Sequence, residues 1–220
     1  MFQTRVAGLT RVDRLGSATH TLSAGLDADR QRFVETLGEA CVKTGWQVHA
    51  YVLMPNHFHL VVETPQPNLV AGMEWLKWFL GTYTSRFNQR HKLFGHLFSG
   101  RYKSLLVDGS GSGSLKSVCD YVHLNPARAK LLSADAPLKS FAWSSWLAYL
   151  LAPSKRPAWL RVDRLLGENG IPKDSPAGRQ RLERAFRVRR GLRIVARAHV
   201  NACEVVRRFH SWRLTNAHEI

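Results

Sequence analysis

The stretch Met54-Pro55-Asn56-His57-Phe58-His59-Leu60-Val61-Val62-Glu63 decides how the rest of the chain is read. An apolar run, Trp46 to Leu53, precedes it, and Met54-Pro55-Asn56 punctuates the two runs as a turn does, so the pair predicts two strands, the second from His57 to Glu63. Side chains alternate across a strand, which puts His57 and His59 on one face and Phe58 on the other. Two imidazoles about 7 Å apart along a strand can converge on one cation. Phe58, Leu60, Val61 and Val62 supply the apolar anchor that holds such a strand in a core. A cation held there can polarise a phosphate.

Outward from this hairpin, Asp27-Ala28-Asp29 offers a helix start, and Phe33, Val34, Leu37, Ala40, Cys41 and Thr44 recur at helical spacing up to Gly45. Pro65 and Pro67 end the second strand. A long helix is predicted over Leu69 to Arg90, with Met73, Leu76, Leu80, Tyr83 and Phe87 on one stripe. Residues 91–100 read as a loop that includes His91 and His96. Tyr102 to Val107 reads as a strand, the Gly-Ser run at 108–114 as a connector, and Leu115 to Leu124 as a short helix stopped by Asn125-Pro126. Trp143-Ser144-Ser145-Trp146 is expected to pack back on the core. The order of helix, strand, strand, helix, strand, helix fits an α+β fold, one antiparallel sheet with helices on its faces.

The 220 residues carry 32 Lys and Arg against 16 Asp and Glu, a net charge of +16. Such an excess calls for a polyanionic partner, nucleic acid above all. From Arg179 to Arg213 eleven Arg face two Glu, which suits phosphate contact without base selectivity or a solvated helix. Cys41, Cys119 and Cys203 are far apart and form no CxxC pair, so neither a zinc knuckle nor a disulfide framework is implied, and a reducing, cytoplasmic setting fits. No apolar run reaches the ~18 residues of a membrane span.

Tyr121 and Asn125 are four residues apart and share a face if helical. A tyrosine beside an amide that helps hold a metal is a candidate nucleophile. Phenol, with a pKa near 10, is weak at neutral pH unless a cation stabilises the phenolate. Attack on phosphorus would conserve the broken phosphodiester as a phosphotyrosine, so rejoining needs no ATP. Each pattern alone also suits a blander role: an edge strand with alternating histidines, a packed helix, a helix terminator. His49 and Tyr51 are expected to pack or hydrogen-bond, and Glu63 lies about 13 Å from His59 along the strand, too far to be a ligand. His123 is expected to point away from Tyr121. Trp75 and Trp78 are expected to be buried rather than to stack on bases.

Three blocks, Val48 to Pro65, Gly95 to Ser104 and Tyr121 to Ala129, closely resemble the REP-associated tyrosine transposases of the single-tyrosine HUH superfamily, the IS200-like transposases. Trp143-Ser144-Ser145 matches that family too, and the resemblance spans about residues 28–150. It implies a ferredoxin-like α+β HUH domain and a single-strand DNA endonuclease that cuts and rejoins DNA near hairpin repeats through a 5′-phosphotyrosine. Carried onto this sequence, it makes Tyr121 the nucleophile and His57, His59 and Asn125 the ligands of Mg²⁺ or Mn²⁺. It places Arg101, Lys103 and Arg128 against DNA.

The expected organisation is an atypical N-terminal segment over 1–27, a catalytic domain over 28–151 and a basic extension over 152–220. The expected partners are single-stranded or hairpin DNA and no membrane, with the protein a monomer or homodimer, associated with the nucleoid when on DNA. The family's first strand has no obvious counterpart in residues 1–27. Either unusual residues build it, or the N-terminus is altered; the latter favours a catalytically inactive or domesticated hairpin-binding protein.

Overall fold

The computed structural model describes residues 6–11, 27–64, 69–98, 103–107 and 113–196. Four strands, β1 (Val6–Arg11), β2 (Gln47–Leu53), β3 (Phe58–Glu63) and β4 (Lys103–Val107), form one sheet in the order β2-β3-β1-β4. Every neighbouring pair is antiparallel. Helix α1 (Asp27–Thr44) connects β1 to β2, and α2 (Leu69–His91) connects β3 to β4, so two split βαβ units interleave. The fold is α+β, as expected from the element order.

The unreadable N-terminus supplies the central strand. Val6, Ala7, Gly8 and Leu9 pair with Glu63, Val62, Val61 and Leu60 on one side. On the other side Val6 to Leu9 pair with Val107 to Ser104. The absent-strand alternative is therefore corrected. A strand flanked on both edges is held by backbone hydrogen bonds that any residue can make, which is why composition gave little sign of it.

Helix α1 begins with Asp27 and Asp29 near its positive end and closes at Gly45, whose φ of 70° suits glycine and whose N–H donates to the Cys41 carbonyl. Its Phe33, Leu37, Ala40 and Cys41 are buried. On α2 the buried stripe is Trp75, Leu76, Phe79, Tyr83 and Phe87, while Leu80 is only partly covered. The Phe33 ring centroid lies 5.0 Å from that of Phe58, 4.9 Å from Phe79 and 5.1 Å from Tyr83. Thus α1 and α2 cover the face to which Phe58 points. Helix α2 reaches His91, so that residue is helical and not in a loop: its Nε2 meets Asp29 Oδ2 at 2.9 Å. The stacked Trp46 and Trp75 rings are buried between these layers.

The opposite face receives α3 (Ser114–Arg128). This helix does not stop at Asn125-Pro126 but runs one turn further. Proline forfeits its own N–H bond and its ring crowds the carbonyl four residues back, but its fixed φ is compatible with helix. The closing bonds from Ala129 N–H to the Asn125 carbonyl and from Leu131 N–H to the Pro126 carbonyl secure the extra turn, and Lys130, at φ 59°, ends it. Glu168, which ends α5 (Asp163–Glu168), accepts the Lys116 N–H in the first turn of α3, where a carboxylate is favoured.

The outer edge of β2 would be an open pairing template, and two segments close it. Leu53 N–H donates to the Trp143 carbonyl and Ser145 N–H to Tyr51 O. Val48 N–H donates to the Trp159 carbonyl and Arg161 N–H to Val48 O. Trp146, heading α4 (Trp146–Leu150), and Tyr149 are fully covered beneath them. Residues past 151 therefore take part in the same packing, and the first compact unit runs Met1–Glu183. The second is Arg184–Ile220; helix α6 (Pro176–Ala196) contains the boundary. Within the second unit the Arg189 guanidinium lies 5.0 Å over the Phe186 ring. Trp212 and the rest of the Arg-rich run beyond 196, like most of the Gly-Ser connector, lie outside the described residues. Among the described residues no helix is long and apolar enough to cross a membrane.

Candidate active site

His57 closes the β2–β3 turn: its carbonyl accepts the Met54 N–H at 2.8 Å. Strand β3 begins one residue later than expected, yet the pleat still sets the two imidazoles on one face, their centroids 4.9 Å apart. Phe58 between them points into the α1/α2 layer. His59 is 4% exposed, whereas His57 is half-buried.

Helix α3 brings the other two groups. Tyr121 lies with its ring 5.4 Å from that of His59, edge-on, and is partly exposed. Asn125, one turn on and buried, donates from Nδ2 to His59 Nε2 at 3.2 Å. The extra turn carries Arg128 onto the same stripe, with its guanidinium 4.6 Å over the Tyr121 ring. Tyr121, Asn125 and Arg128 thus stand at i, i+4 and i+7 of one helix face. Sequence spacing gives the first pair; the Arg128–Tyr121 contact follows only if the helix continues through Pro126.

Two hydrogen bonds orient the imidazoles. The Asn56 amide oxygen can only accept, so His57 Nδ1–H donates to it at 2.7 Å, and in the neutral ring the lone pair sits on Nε2. The Asn125 amide group donates to His59 Nε2, which therefore also carries a lone pair. Asn56 was missed at the sequence level, although its place just before His57 is the signal. Among the described residues no group of three or more His, Cys, Asp and Glu is placed to hold a metal, so any cation here depends on the amide as third donor. Two imidazole nitrogens and an amide oxygen form a workable donor set for a divalent ion.

The remaining titratable groups nearby are occupied structurally. His123, fully buried, pairs through Nε2 with Ser145 Oγ at 2.8 Å, and burial lowers its pKa to about 3, so it stays neutral. It points away from Tyr121, as expected. Burial, and then the charge of Asp120, push the Cys119 thiol well above its usual pKa, so it is no rival nucleophile. At the far end of β3, Glu63 Oε2 meets His49 Nε2 at 2.7 Å and both Arg161 and Arg164 at 3.0 Å. Glu63 is thus an ion-pair anchor, in keeping with its exclusion as a ligand. Lys103 opens β4, and Arg101 lies outside the described residues.

Residues 25–125 match the family model described as transposase IS200 like. In fold the chain is similar to a solved REP-associated tyrosine transposase bound to a REP hairpin, at 13% identity and a TM-score of 0.52, over 74% of this chain and 88% of that one. No curated protein matches. The family match takes in His57, His59, Tyr121 and Asn125, and the fold match spans 74% of the chain.

Proposed function

We propose that this chain is a metal-dependent tyrosine transposase, a single-strand DNA endonuclease that cuts and rejoins DNA beside hairpins on a ferredoxin-like HUH domain. The observation that carries this reading is the convergence of Tyr121, Asn125 and His59 from α3 and β3, with His57 at the mouth. The Tyr121 oxygen attacks the scissile phosphorus. The bond from phosphorus to the 3′ oxygen breaks, a 5′-phosphotyrosine forms, and the phenolic proton is accounted for by the released 3′-hydroxyl. Reversal with a different 3′-hydroxyl rejoins the strand.

His57 and His59 through Nε2, and Asn125 through its amide oxygen once the amide is turned over from its Nδ2–His59 hydrogen bond, would hold Mg²⁺ or Mn²⁺. Such an ion supplies Lewis-acid polarisation of the phosphate. The chain's own contribution is orientation: Asn56 fixes the His57 ring, β3 fixes His59, and α3 sets Tyr121 and Asn125 on one face. Arg128 brings a fixed positive charge to the Tyr121 ring and, with Lys103 and Arg101, would meet the DNA backbone. Single-stranded or hairpin DNA is the proposed partner, in keeping with the +16 charge. The catalytic part is proposed to lie within 28–151, with the basic C-terminal residues aiding DNA contact. An inactive hairpin binder is the reading that a missing central strand would favour, but Val6–Arg11 occupies that position.

The test is a denaturing gel with labelled, hairpin-bearing single-stranded DNA and Mn²⁺. The expected result is a covalent adduct that requires metal and is lost in Tyr121→Phe and His59→Ala, while Tyr121→Phe still binds DNA. An adduct that survives Tyr121→Phe would remove this residue from the chemistry.

A further inference from the structure

We infer that the turn Lys92–His96 is a stacking contact for an unpaired DNA base, with Phe94 as the stacking ring. Phe94 is 100% exposed, the most exposed large apolar side chain among the described residues. A phenylalanine held wholly in water is unfavourable unless a partner covers it.

The turn is built rather than loose. Lys92 at φ 53° and Gly95 at φ 91° both take left-handed backbone, which reverses the chain within a few residues. The Asn88 side chain donates from Nδ2 to the Gly95 carbonyl at 2.9 Å, and Leu93 N–H donates to the Asn88 carbonyl at 2.9 Å. Below it the end of α2 is tied to α1, since Arg90 and His91 both meet the buried Asp29 carboxylate. A ring on a fixed turn loses little further freedom on stacking.

Position and charge select the partner. Register pairs Leu9 with both Leu60 and Ser104, and Arg11 with Lys103, so β3 and β4 start at the same end of the sheet. The turn therefore leads into the sheet end that holds His57 and His59. Phe98 packs 5.8 Å from Phe58, the residue between the two histidines. Four residues span at most about 14 Å, so the Phe94 Cα stays within that distance of the Phe98 Cα. Lys92 and His96, both exposed, flank the ring. An exposed aromatic between basic side chains suits single-stranded nucleic acid, whose bases offer π faces and whose backbone is anionic. This inference rests on the proposed function for its partner class, and its test is read separately from cleavage.

The experiment measures affinity of the full chain for an oligothymidylate strand and for a blunt duplex of equal length, at fixed salt, for wild type, Phe94→Ala, Phe94→Leu and Phe94→Trp. Phe94→Ala and Phe94→Leu are expected to bind the strand about tenfold more weakly, with duplex affinity unchanged. Phe94→Trp should keep strand affinity and add fluorescence quenching beyond that of wild type. Strand affinity unchanged in Phe94→Ala, full affinity in Phe94→Leu, or equal losses on strand and duplex would each overturn the inference. So would sedimentation showing a wild-type dimer that Phe94→Ala dissolves, since the ring would then face a second copy. A wild-type adduct with hairpin DNA alongside unaltered Phe94→Ala binding would leave the proposed function standing and sink only this inference.

Discussion

Arg128 places a guanidinium 4.6 Å over the Tyr121 ring, a cation–π contact at the residue proposed as nucleophile. A fixed positive charge favours the phenolate and, after attack, the phosphodiester bonded to it. Arg128→Ala is expected to slow adduct formation by about 3- to 30-fold, the range of about 0.5–2 kcal/mol that such contacts supply. Arg128→Lys should recover part of the rate, since it keeps charge but loses planar overlap. Single-turnover adduct kinetics at saturating DNA separates this from weaker binding. A rate equal to wild type in Arg128→Ala would restrict the residue to DNA contact.

Helix α3 is registered against β2 through one hydroxyl. Ser145 Oγ accepts the Tyr51 N–H at 2.9 Å and pairs with His123 at 2.8 Å, and Ser145 is wholly buried. His123 lies between Tyr121 and Asn125 on the helix, so this bond fixes the rotation that aims both at His59. Ser145→Ala removes a hydrogen bond from two buried groups and is expected to cost about 1–3 kcal/mol in urea unfolding. Close packing of α1 is equally local. A Cβ on Gly38 would lie 2.6 Å from Trp159 Nε1, so Gly38→Ala must displace the indole. That change should lower stability by about 1–3 kcal/mol, read as a shift of the urea midpoint, although alanine is the better helix former.

Across the molecule, residues far apart in sequence meet at Glu63. Burial alone would raise its carboxyl, but hydrogen bonds from His49 and Arg164 and the charges of His49 and Arg161 outweigh it and hold the pKa at about 2, against an ordinary 4.5. The folded state thus binds this proton less readily than the unfolded chain. The stability it contributes is complete above about pH 4.5 and is lost as pH falls toward about 2. Glu63→Gln should lower stability at neutral pH by roughly 1.5–3 kcal/mol. The gap between it and wild type should close as pH falls through that window. A gap independent of pH in urea titrations would mean that Glu63 acts through packing rather than charge.

The sequence by itself determined the α+β class, the hairpin around His57 and His59, and the α1, α2 and α3 helices, because short-range periodicity and turn residues carry those signals. It also made Tyr121 and Asn125 neighbours, since i and i+4 meet on any helix. Placement of β1 was not legible: a strand paired on both edges is stabilised by backbone bonds to β3 and β4, and those partners lie more than 50 residues away. The passage of α3 through Pro126 was not legible either, because the proline's local penalty is offset by packing against the sheet and by the closing turn. Arg128 over Tyr121, Ser145 under His123 and Arg161 on Glu63 are likewise decisions of the tertiary structure. The first, at i and i+7 of one helix, follows from the passage of α3 through Pro126, whereas the other two join groups that no local pattern relates and exist only once the layers have closed and water has been excluded from between them.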